Sequence, residues 1–423
     1  MINTKNRRIF DNFSLEETEL DEKRDKYDSV ALGKQLPIVW HKAKNYNVYD
    51  RDGNKWIDMT AGIFVANAGH SNPKIKKAIK KQLDSDLIFS FLYNTEIRYE
   101  FIKKLLDISP DYFEKAILLN SGSEITDIAY RLIKLWAKKN NKKYIIAFEG
   151  SYHGRTLGSD LICGTKKSTD WSGVDDDDVV FLKFPYEQED AFDPSVLPDP
   201  DQIAAFVIET YQGWGACMYP DKYMKELYTF AKEHGALICF DEIQAGFYRM
   251  GPLYGYMTYG EYIKPDLICL GKGISSTLPV SALLGSKEII DIDKDTIVGG
   301  THSGNSLCCA ASLANLEFLS DDTFQEKFKK RAKVFERECF KLENHLEVKK
   351  INCRGMVCGI IFETEEFATK VAKECILNGV LPVYTHRNSI KLGPPLTITS
   401  SAIREALNVI SECIVKVSNE EHI

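Results

Sequence analysis

The sequence predicts an α/β protein, with a seven-stranded, mostly parallel sheet in a large domain and a smaller, C-terminal α+β domain. Three observations support this prediction. From about residue 100 to 300, short apolar runs alternate with helical stretches, which is typical of a sheet covered by helices on both faces. The apolar runs are short and continuous, as expected for buried parallel strands. After about residue 313, the alternation gives way to one long helical stretch and a group of short strands.

The seven predicted strands of the large domain are apolar runs that lie next to helical stretches. They cover residues 115–119, 144–148, 179–183, 204–208, 236–240, 267–270 and 281–285. Helices between them include 123–138 and 221–234. The stretch 186–201 contains prolines and acidic residues, and we expect it to be a surface excursion and not a strand.

The N-terminal 36 residues are charged, and Ile9, Phe13 and Leu20 give them only a weak helical pattern, which predicts a surface helix or a partly mobile arm. A hairpin is predicted over 46–57, because Asp52-Gly53 separates two alternating apolar segments. The C-terminal part is predicted to contain helices 322–343, 364–377 and 400–417 and strands 346–350, 357–362, 380–384 and 389–392. We therefore divide the chain into a segment that joins the small domain (1–60), the large domain (61–312) and the small domain (313–423).

Composition excludes several classes of protein. The 423 residues carry 54 basic and 61 acidic side chains, a net charge of −7, without a basic stripe for nucleic acid. No apolar run approaches the roughly 20 residues that span a bilayer, and no signal peptide is recognisable at the N-terminus. The 11 cysteines are odd in number and lack paired spacing, which argues against a disulfide framework and against a zinc site. We expect a cytoplasmic protein with reduced thiols and without a metal.

Two polar residues, 31 positions apart, each follow an apolar run. Asp241 comes directly after 236–240, and Lys272 follows 267–270 and one glycine. An acid and an amine at the same edge of a parallel sheet meet in the crevice where α/β proteins bind ligands. Such a pair suits pyridoxal phosphate (PLP), which needs a partner for its ring nitrogen and an amine for a Schiff base. Taken singly, the alternatives are a helix-capping aspartate and a solvated loop lysine.

Two loops at predicted strand ends have compositions that suit a phosphorylated aromatic cofactor. In 120–124, Ser121 and Glu124 form a capping box, while Gly122 and Ser123 would allow a phosphate to approach the free N–H groups of the helix. Both interpretations stay open. In 149–156, an aromatic ring between two glycines would stack on a flat cofactor or simply cap the sheet.

Further polar residues are placed at the same edge of the predicted sheet. Glu209 follows strand 204–208, and Gln244 comes three residues after Asp241. The glycines at 213 and 215 lack the third glycine and the strand–turn–helix context of a dinucleotide-binding motif, so we reject that interpretation. Glu209, Asp241 and Lys272 end successive strands, which indicates one shared site.

In order along the chain, these segments resemble the class III (ω-) aminotransferases, PLP-dependent enzymes of fold type I. The resemblance covers about Pro37 to Thr397. It rests on the segments Asp58–Gly62 with Gly69-His70, Asn120–Glu124, Tyr152–Thr156, Asp241–Gln244 with Gly246-Phe247 and Arg249, Gly271-Lys272-Gly273 with Pro279, and Gly300–Asn305.

The resemblance implies a role for each matching residue. Lys272 would form the Schiff base and shuttle the substrate proton, and Asp241 would pair with the pyridine nitrogen; these two are the predicted catalytic residues. Thr301 would reach the phosphate in the partner subunit, which implies a homodimer with the site at its interface. The implied cofactor-binding set is Gly122, Ser123, Tyr152, His153, Glu209, Asp241, Ile243, Gln244, Lys272 and Thr301. Within it, Ile243 and Tyr152 would enclose the ring, Gln244 would reach its phenolic oxygen, and the glycine and serine would hold the phosphate.

The chain departs from the family on the substrate side. Lys391 stands where relatives that bind an α-carboxylate often carry arginine, and lysine lacks the planar two-bonded fork of arginine. Lys391 either contacts substrate or is an exposed strand lysine. The substrate role of Glu209 is then open, and His302-Ser303 also differs from many relatives.

The expected activity is transfer of an amino group from a primary amine, of the ω-amine type, to a 2-oxo acid such as pyruvate or 2-oxoglutarate. The expected order is ping-pong, through pyridoxamine phosphate. The same scaffold also carries aminomutases, amino-acid racemases and a decarboxylase, which the cofactor-binding residues do not separate. A non-catalytic PLP-binding protein is a third hypothesis, which the presence of both Lys272 and Asp241 disfavours.

Overall fold

A computed structural model describes residues 1–165, 170–295 and 297–421 and divides the chain into two compact units. The large unit comprises Pro73–Gly213 and Cys217–Asp321. The small unit comprises Met1–Asn72, Trp214–Ala216 and Asp322–Ile423. Both units therefore contain segments that are far apart in the sequence.

The strands, in chain order, are β1 (Ile2–Asn3), β2 (Arg8–Ile9), β3 (Lys42–Lys44), β4 (Asn47–Tyr49), β5 (Lys55–Asp58), β6 (Lys115–Leu119), β7 (Tyr144–Phe148), β8 (Val179–Leu182), β9 (Ile203–Glu209), β10 (Tyr211–Gln212), β11 (Cys217–Met218), β12 (Leu237–Asp241), β13 (Leu267–Leu270), β14 (Ser281–Gly285), β15 (Val348–Arg354), β16 (Val357–Phe362), β17 (Val380–Leu381), β18 (Val383–Tyr384) and β19 (Ser389–Leu392).

The helices are α1 (Glu19–Tyr27), α2 (Ala61–Phe64), α3 (Pro73–Leu83), α4 (Glu96–Ile108), α5 (Gly122–Lys139), α6 (Leu157–Leu161), α7 (Asp221–Glu233), α8 (Lys287–Ile290), α9 (Ser306–Leu319), α10 (Asp322–Phe340), α11 (Glu365–Leu377) and α12 (Ser400–Glu421). The four residues of α2 all have positive φ, so this element is a left-handed turn. Short 3₁₀ helices span Val30–Leu32, Pro194–Val196, Pro200–Gln202, Gly255–Tyr259, Lys272–Ile274 and Lys341–Asn344.

The large unit is built on a seven-stranded sheet in the order β6-β14-β13-β12-β9-β7-β8. Only β14 runs antiparallel to its neighbours β13 and β6. The five inner strands are almost entirely buried, because helices cover the sheet, whereas the edge strands β6 and β8 are partly exposed. Helix α5, for example, packs Ile125, Leu132 and Ile133 against the sheet. The predicted fold class, with seven mostly parallel strands, is confirmed, and the stretch 186–201 contains only 3₁₀ turns.

The small unit combines two sheets. One is the four-stranded antiparallel sheet β15-β16-β19-β18, and the other contains β1 to β5 with β17. The predicted strand 380–384 is two strands, because Pro382 interrupts it and the chain changes sheets: β17 pairs with β5, whereas β18 pairs with β19. The predicted hairpin over 46–57 is confirmed, with Val48 opposite Trp56.

The predicted pattern that joined Ile9, Phe13 and Leu20 on one helix is wrong. Ile9 lies in strand β2 and is 5% exposed, and Phe13 packs edge-on against Trp56, with ring centroids 5.2 Å apart. The helix α1 begins only at Glu19 and buries none of its residues, so a surface helix is correct for this part alone. In the part of the chain that the structure describes, no helix combines the length and apolar character needed to cross a membrane.

Candidate active site

Three adjacent strands carry the predicted acid, its neighbouring carboxylate and the lysine. Parallel pairing places Asp241 of β12 opposite Glu209 of β9 on one side and opposite Cys269 of β13 on the other. Asp241 and Glu209 are buried, and Lys272 follows Cys269 by three residues at the same carboxyl-terminal edge. The structure therefore brings together residues that are 63 positions apart in the sequence, counted from 209 to 272.

The protein environment of Lys272 favours its neutral amine form more strongly than bulk water would. Burial lowers the pKa of Lys272, while the negative charges of Asp241 and Glu209 act in the opposite direction. Part of the Lys272 residue stays accessible. An amine with a lowered pKa is suited to react with a carbonyl group and to accept a proton.

The backbone of Lys272 is strained, and a side chain that the sequence analysis missed supports it. Its φ is +41°, which is unfavourable for a residue with a Cβ atom. Asn315, completely buried in α9, donates from Nδ2 to the carbonyl oxygens of Gly273 at 2.8 Å and Ile274 at 2.9 Å. Asn315 positions the turn that presents Lys272. Its one sequence signal is that it is the single amide in the otherwise apolar, small-residue run 306–316.

Both carboxylate oxygens of Asp241 are held by the protein. Oδ1 accepts the N–H of Ile243 at 3.0 Å, and Oδ2 lies 2.9 Å from Nδ1 of the buried His153. Burial disfavours a charged imidazole, but the hydrogen bond to Asp241 and its charge prevail and raise the pKa of His153. His153 therefore orients Asp241 through Nδ1, and its Nε2 has no hydrogen-bond partner among the residues that the structure describes.

Glu209 holds the loop that carries Tyr152. Its Oε2 accepts the backbone N–H of Tyr152 at 3.0 Å. The Tyr152 side chain is 42% exposed, and the guanidinium of Arg155 lies 5.4 Å from its ring centroid. The ring thus presents an accessible face at the strand edge where Asp241 ends.

The amino-terminus of α5 lies beside the same strand ends. Ser121 accepts the N–H of Glu124 at 3.3 Å, and Glu124 accepts the N–H of Ser121 at 2.7 Å, so the predicted capping box is present. The Oγ of Ser123 accepts the N–H of Arg155 at 3.0 Å, which leaves its hydroxyl proton available as a donor. The capping interpretation and the anion-binding interpretation are compatible, because capping satisfies only some of the free N–H groups.

Ile243 packs between Gly122 and Gly271, and its side chain lies close to where a Cβ atom on either glycine would be. A Cβ atom on Gly122 would lie 3.0 Å from Cδ1 of Ile243, and one on Gly271 would lie 3.2 Å from its Cγ2. Gln244 is equally close to Gly213, where a Cβ atom would lie 2.9 Å from Nε2. These contacts link the helix α5 and the lysine turn through the residues that follow Asp241.

Thr301 is placed differently from the other predicted residues. It lies exposed on the turn before α9. Throughout the described ranges, no hydrogen bond or ion pair joins Thr301 to Asp241 or Lys272. Its predicted role at the phosphate stays a prediction.

Glu242 is a buried acid that the sequence analysis did not assign. It accepts hydrogen bonds from the hydroxyl of Thr210 at 2.5 Å and from the N–H groups of Gly255 and Tyr256, each at 2.7 Å. Burial raises the pKa of Glu242 to about 7, and these hydrogen bonds oppose the rise. Its position directly after Asp241 was the only sequence signal.

Lys391 belongs to the small unit and is only 4% exposed. It lies on β19, which is flanked by β16 and β18, and its Nζ lies 4.7 Å from the ring centroid of Phe64. The alternative of an exposed strand lysine is therefore wrong, because the side chain is buried against the ring of Phe64.

Known proteins resemble this chain over nearly its whole length, and residues 29–414 match the family described as Aminotransferase class-III. This chain belongs to the class III aminotransferases. It is 31% identical over 386 residues to an ornithine aminotransferase of Staphylococcus carnosus (strain TM300), covering 90% of this chain and 94% of that protein. It is 30% identical over 388 residues to an acetylornithine aminotransferase of Caldanaerobacter subterraneus subsp. tengcongensis, covering 90% and 96%.

Solved structures share the fold of this class III aminotransferase. An ornithine aminotransferase from Toxoplasma gondii, described with partial occupancy of PLP at its active site, has a TM-score of 0.86 at 23% identity and covers 96% of both chains. A transaminase from the marine bacterium Virgibacillus has a TM-score of 0.85 at 23% identity and covers 95% of this chain and 100% of that one. The protein is a PLP-dependent aminotransferase whose substrates are a small amine and a 2-oxo acid.

The residues at the strand ends fit this cofactor chemically. PLP needs an amine, an anionic partner for its ring nitrogen, donors for its phosphate and apolar surface for its ring. Lys272 is an amine with a lowered pKa, and Asp241 is a buried carboxylate held from both sides. The amino-terminus of α5 offers N–H donors, and Ile243 with Tyr152 offers apolar surface.

Proposed function

We propose that this aminotransferase takes an ω-amino group, one distant from a carboxylate, from its donor and passes it to a 2-oxo acid in ping-pong order. The observation that carries the proposal is the convergence of Lys272 with the Asp241–His153 pair at adjoining strand ends. The donor class is supported by relatives at 30–31% identity that are named for ornithine and acetylornithine, both of which carry a terminal amine.

When bound, PLP supplies a carbonyl carbon that accepts the amine and a ring that takes up the electron pair of the carbon losing its proton. Lys272 would hold the cofactor through Nζ and then carry the proton between the two carbon atoms that exchange it. Its lowered pKa supports this role, because only a neutral amine accepts a proton.

Asp241 would set the charge beside the ring nitrogen. His153 would keep the Asp241 carboxylate oriented through the 2.9 Å contact with Oδ2. Glu209 would act indirectly, because it holds the backbone of Tyr152, whose exposed ring is available to cover one face of the cofactor. Ile243 would cover the other face.

The phosphate would be bound by Gly122 and Ser123 at the amino-terminus of α5, where the helix dipole favours an anion. Gln244 would reach the phenolic oxygen of the ring. Thr301, which is exposed in its own chain, would complete the phosphate site of a second subunit, so a homodimer is part of the proposal.

An exposed apolar segment in the large unit supports the homodimer. Between Leu87 and Tyr93, six large apolar side chains each expose at least 39% of their surface. Such a concentration is unusual on a monomer and is typical of a protein–protein interface. Residues 61–312 would form the PLP-binding domain, while 1–60 and 313–423 would form the small domain. The two compact units support a division into a large and a small domain, although 61–72 belong to the small unit and 313–321 to the large one. The absence of disulfides among all 11 cysteines supports a cytoplasmic location.

The test is to follow the cofactor absorbance of the purified protein while single amines are added without a 2-oxo acid. We expect N-acetylornithine, whose only free amine is terminal, to convert the cofactor and 2-oxoglutarate or pyruvate to restore it. Norvaline, which is ornithine without the terminal amine, is the matched control and should leave the absorbance unchanged. Conversion by norvaline alone would contradict the ω-amine assignment. Turnover of an amine with an unchanged absorbance would favour a racemase, a mutase or a decarboxylase.

A further inference from the structure

Three cysteines that are scattered in the sequence come together in the small unit. Cys339 lies near the end of α10, Cys353 on β15 and Cys358 on β16. Cys353 and Cys358 are direct partners across the antiparallel pair β15–β16. The three sulfur atoms all lie within 4.8 Å of one another.

The cluster is enclosed and contains only sulfur donors. Cys339 and Cys358 are completely buried, and Cys353 is partly exposed as a residue. Within the described ranges, the group of mutually close ligand atoms includes no imidazole and no carboxylate. Soft thiolate donors select soft metal ions, whereas Mg²⁺ and Ca²⁺ require oxygen ligands.

The spacing of the sulfur atoms suits a single ion. With metal–sulfur bonds of about 2.3 Å, three sulfur atoms in a plane around one ion stand about 4 Å apart. The observed limit of 4.8 Å means that small side-chain rotations would bring all three into bonding distance. Structural zinc almost always has four protein ligands, so a three-sulfur group fits it less well than it fits Cu(I).

We propose that Cys339, Cys353 and Cys358 form a three-coordinate thiolate site for Cu(I). Binding would leave the oxidation state of the ion unchanged and would release to solvent the protons of the thiols that become ligands. The ion would connect the end of α10 to the β15–β16 hairpin, and ligand linkage would stabilise the folded small unit. This site is separate from the PLP chemistry and does not depend on the proposed function.

The experiment titrates the full-length, PLP-loaded and fully reduced protein with Cu(I) under anaerobic conditions, against a chromophoric Cu(I) chelator. We expect one equivalent of Cu(I) to be withdrawn from the chelator and the melting temperature of the protein to rise. Cys353→Ser and Cys358→Ser should each weaken Cu(I) binding by at least about 10- to 100-fold. In metal sites generally, changing a residue that only supports a ligand costs this much affinity, so loss of a ligand should cost no less.

Cys375→Ala is the matched control. Cys375 is a buried cysteine of the same unit with the thiol of Cys413 beside it, and it belongs to no three-donor group among the described residues. It should keep full Cu(I) affinity. Far-ultraviolet circular dichroism would show that each variant is folded, and the partly exposed Cys353 is the position least prone to disturb packing.

Three results would overturn the proposal. One is a wild-type protein that withdraws no Cu(I) from the chelator. Another is binding that Cys353→Ser leaves unchanged. The third is a site that takes Zn²⁺ in preference to Cu(I).

Discussion

At the residue scale, the chemistry centres on how the protein treats one carboxylate and one amine. Asp241 accepts a backbone N–H on one oxygen and faces a buried imidazole on the other, so its orientation is fixed by protein groups. Lys272 is in a different situation, because burial lowers its pKa while part of its surface stays accessible. The protein therefore fixes the orientation of the Asp241 carboxyl group, whereas it favours the reactive neutral form of the Lys272 amine.

Lys272→Ala should abolish transamination. A general base contributes about 10²–10⁴-fold to a rate, and this variant also loses the amine that would hold the cofactor, so we expect a loss of at least that size. The measurement is kcat for an ω-amine donor, together with the absorbance of bound PLP. Lys222→Ala, at an exposed position on α7, is the control and should behave as wild type. Retained activity in Lys272→Ala would refute the assignment.

His153→Gln should make stability less dependent on pH. The pKa of His153 is raised in the folded protein, so its stabilising effect is complete below the unfolded value of about 6.5 and is lost as the pH rises through the folded value. The wild type should therefore exceed the variant by about 1.5–3 kcal/mol at pH 6 and by less at pH 9, as judged by urea unfolding.

The control for this measurement is His234→Gln. The imidazole of His234 lies 3.0 Å from Asp201 but on the surface, where an ion pair contributes little. A His153→Gln protein whose stability deficit is equal at both pH values would show that the imidazole acts through packing and not through charge.

At the element scale, the amino-terminus of α5 and the turn after β13 are fixed by side chains to which no chemical role is assigned. Ser121 and Glu124 close the first turn of α5, and Asn315 of α9 holds the turn of Lys272. The hydrogen bonds from Asn315 help to stabilise the positive φ of Lys272.

Asn315→Ala should destabilise the protein and loosen the lysine. Two buried carbonyl groups would lose their donor, at a cost of about 1–3 kcal/mol each if no water replaces it. We expect a lower free energy of unfolding in urea and faster loss of PLP on dilution. Asn352→Ala is the control, because it removes a 2.9 Å hydrogen bond to the carbonyl oxygen of Gly215 in the small unit. A normal rate of PLP loss in Asn315→Ala would show that the turn holds its shape unaided.

Ser121→Ala should weaken both the helix and the affinity for PLP. Loss of an N-cap costs about 0.5–2 kcal/mol, and fraying of the first turn would disturb the N–H groups proposed to bind phosphate. Thr364→Ala removes the N-cap of α11, where Thr364 accepts the N–H of Phe367 at 3.1 Å, and should cost similar stability with unchanged PLP affinity. Equal PLP affinity in both variants would argue against a phosphate site at α5.

At the scale of the whole molecule, the proposed homodimer makes a sharp prediction about mixed subunits. Lys272→Ala and Thr301→Ala proteins should each be impaired, and co-refolding them should restore activity. In a mixed dimer, one site would combine the intact Lys272 of one subunit with the intact Thr301 of the other. The measurement is specific activity after mixing, with sedimentation to confirm the dimer. Two variants that never complement each other, although they form mixed dimers, would contradict a shared site.

The sequence alone determined most of the fold and the principal residues at the strand ends. Short apolar runs that alternate with helical stretches produced all seven strands of the large sheet, because burial on both faces leaves a local pattern. Asp241, Lys272 and Glu209 were visible for the same reason, since each follows such a run. Errors fell where local pattern is ambiguous: Ile9 and Phe13 pack against a sheet and not on a helix, and Pro382 separates two strands.

Only the tertiary structure decided which distant side chains meet. His153 and Asp241 are 88 positions apart, and Asn315 reaches the turn of Lys272 from 42 positions away. The three clustered cysteines lie on a helix and two strands with no metal-binding spacing between them. Local periodicity records whether a residue is buried, but it carries no information about its partner, because contacts between elements are set by how those elements pack.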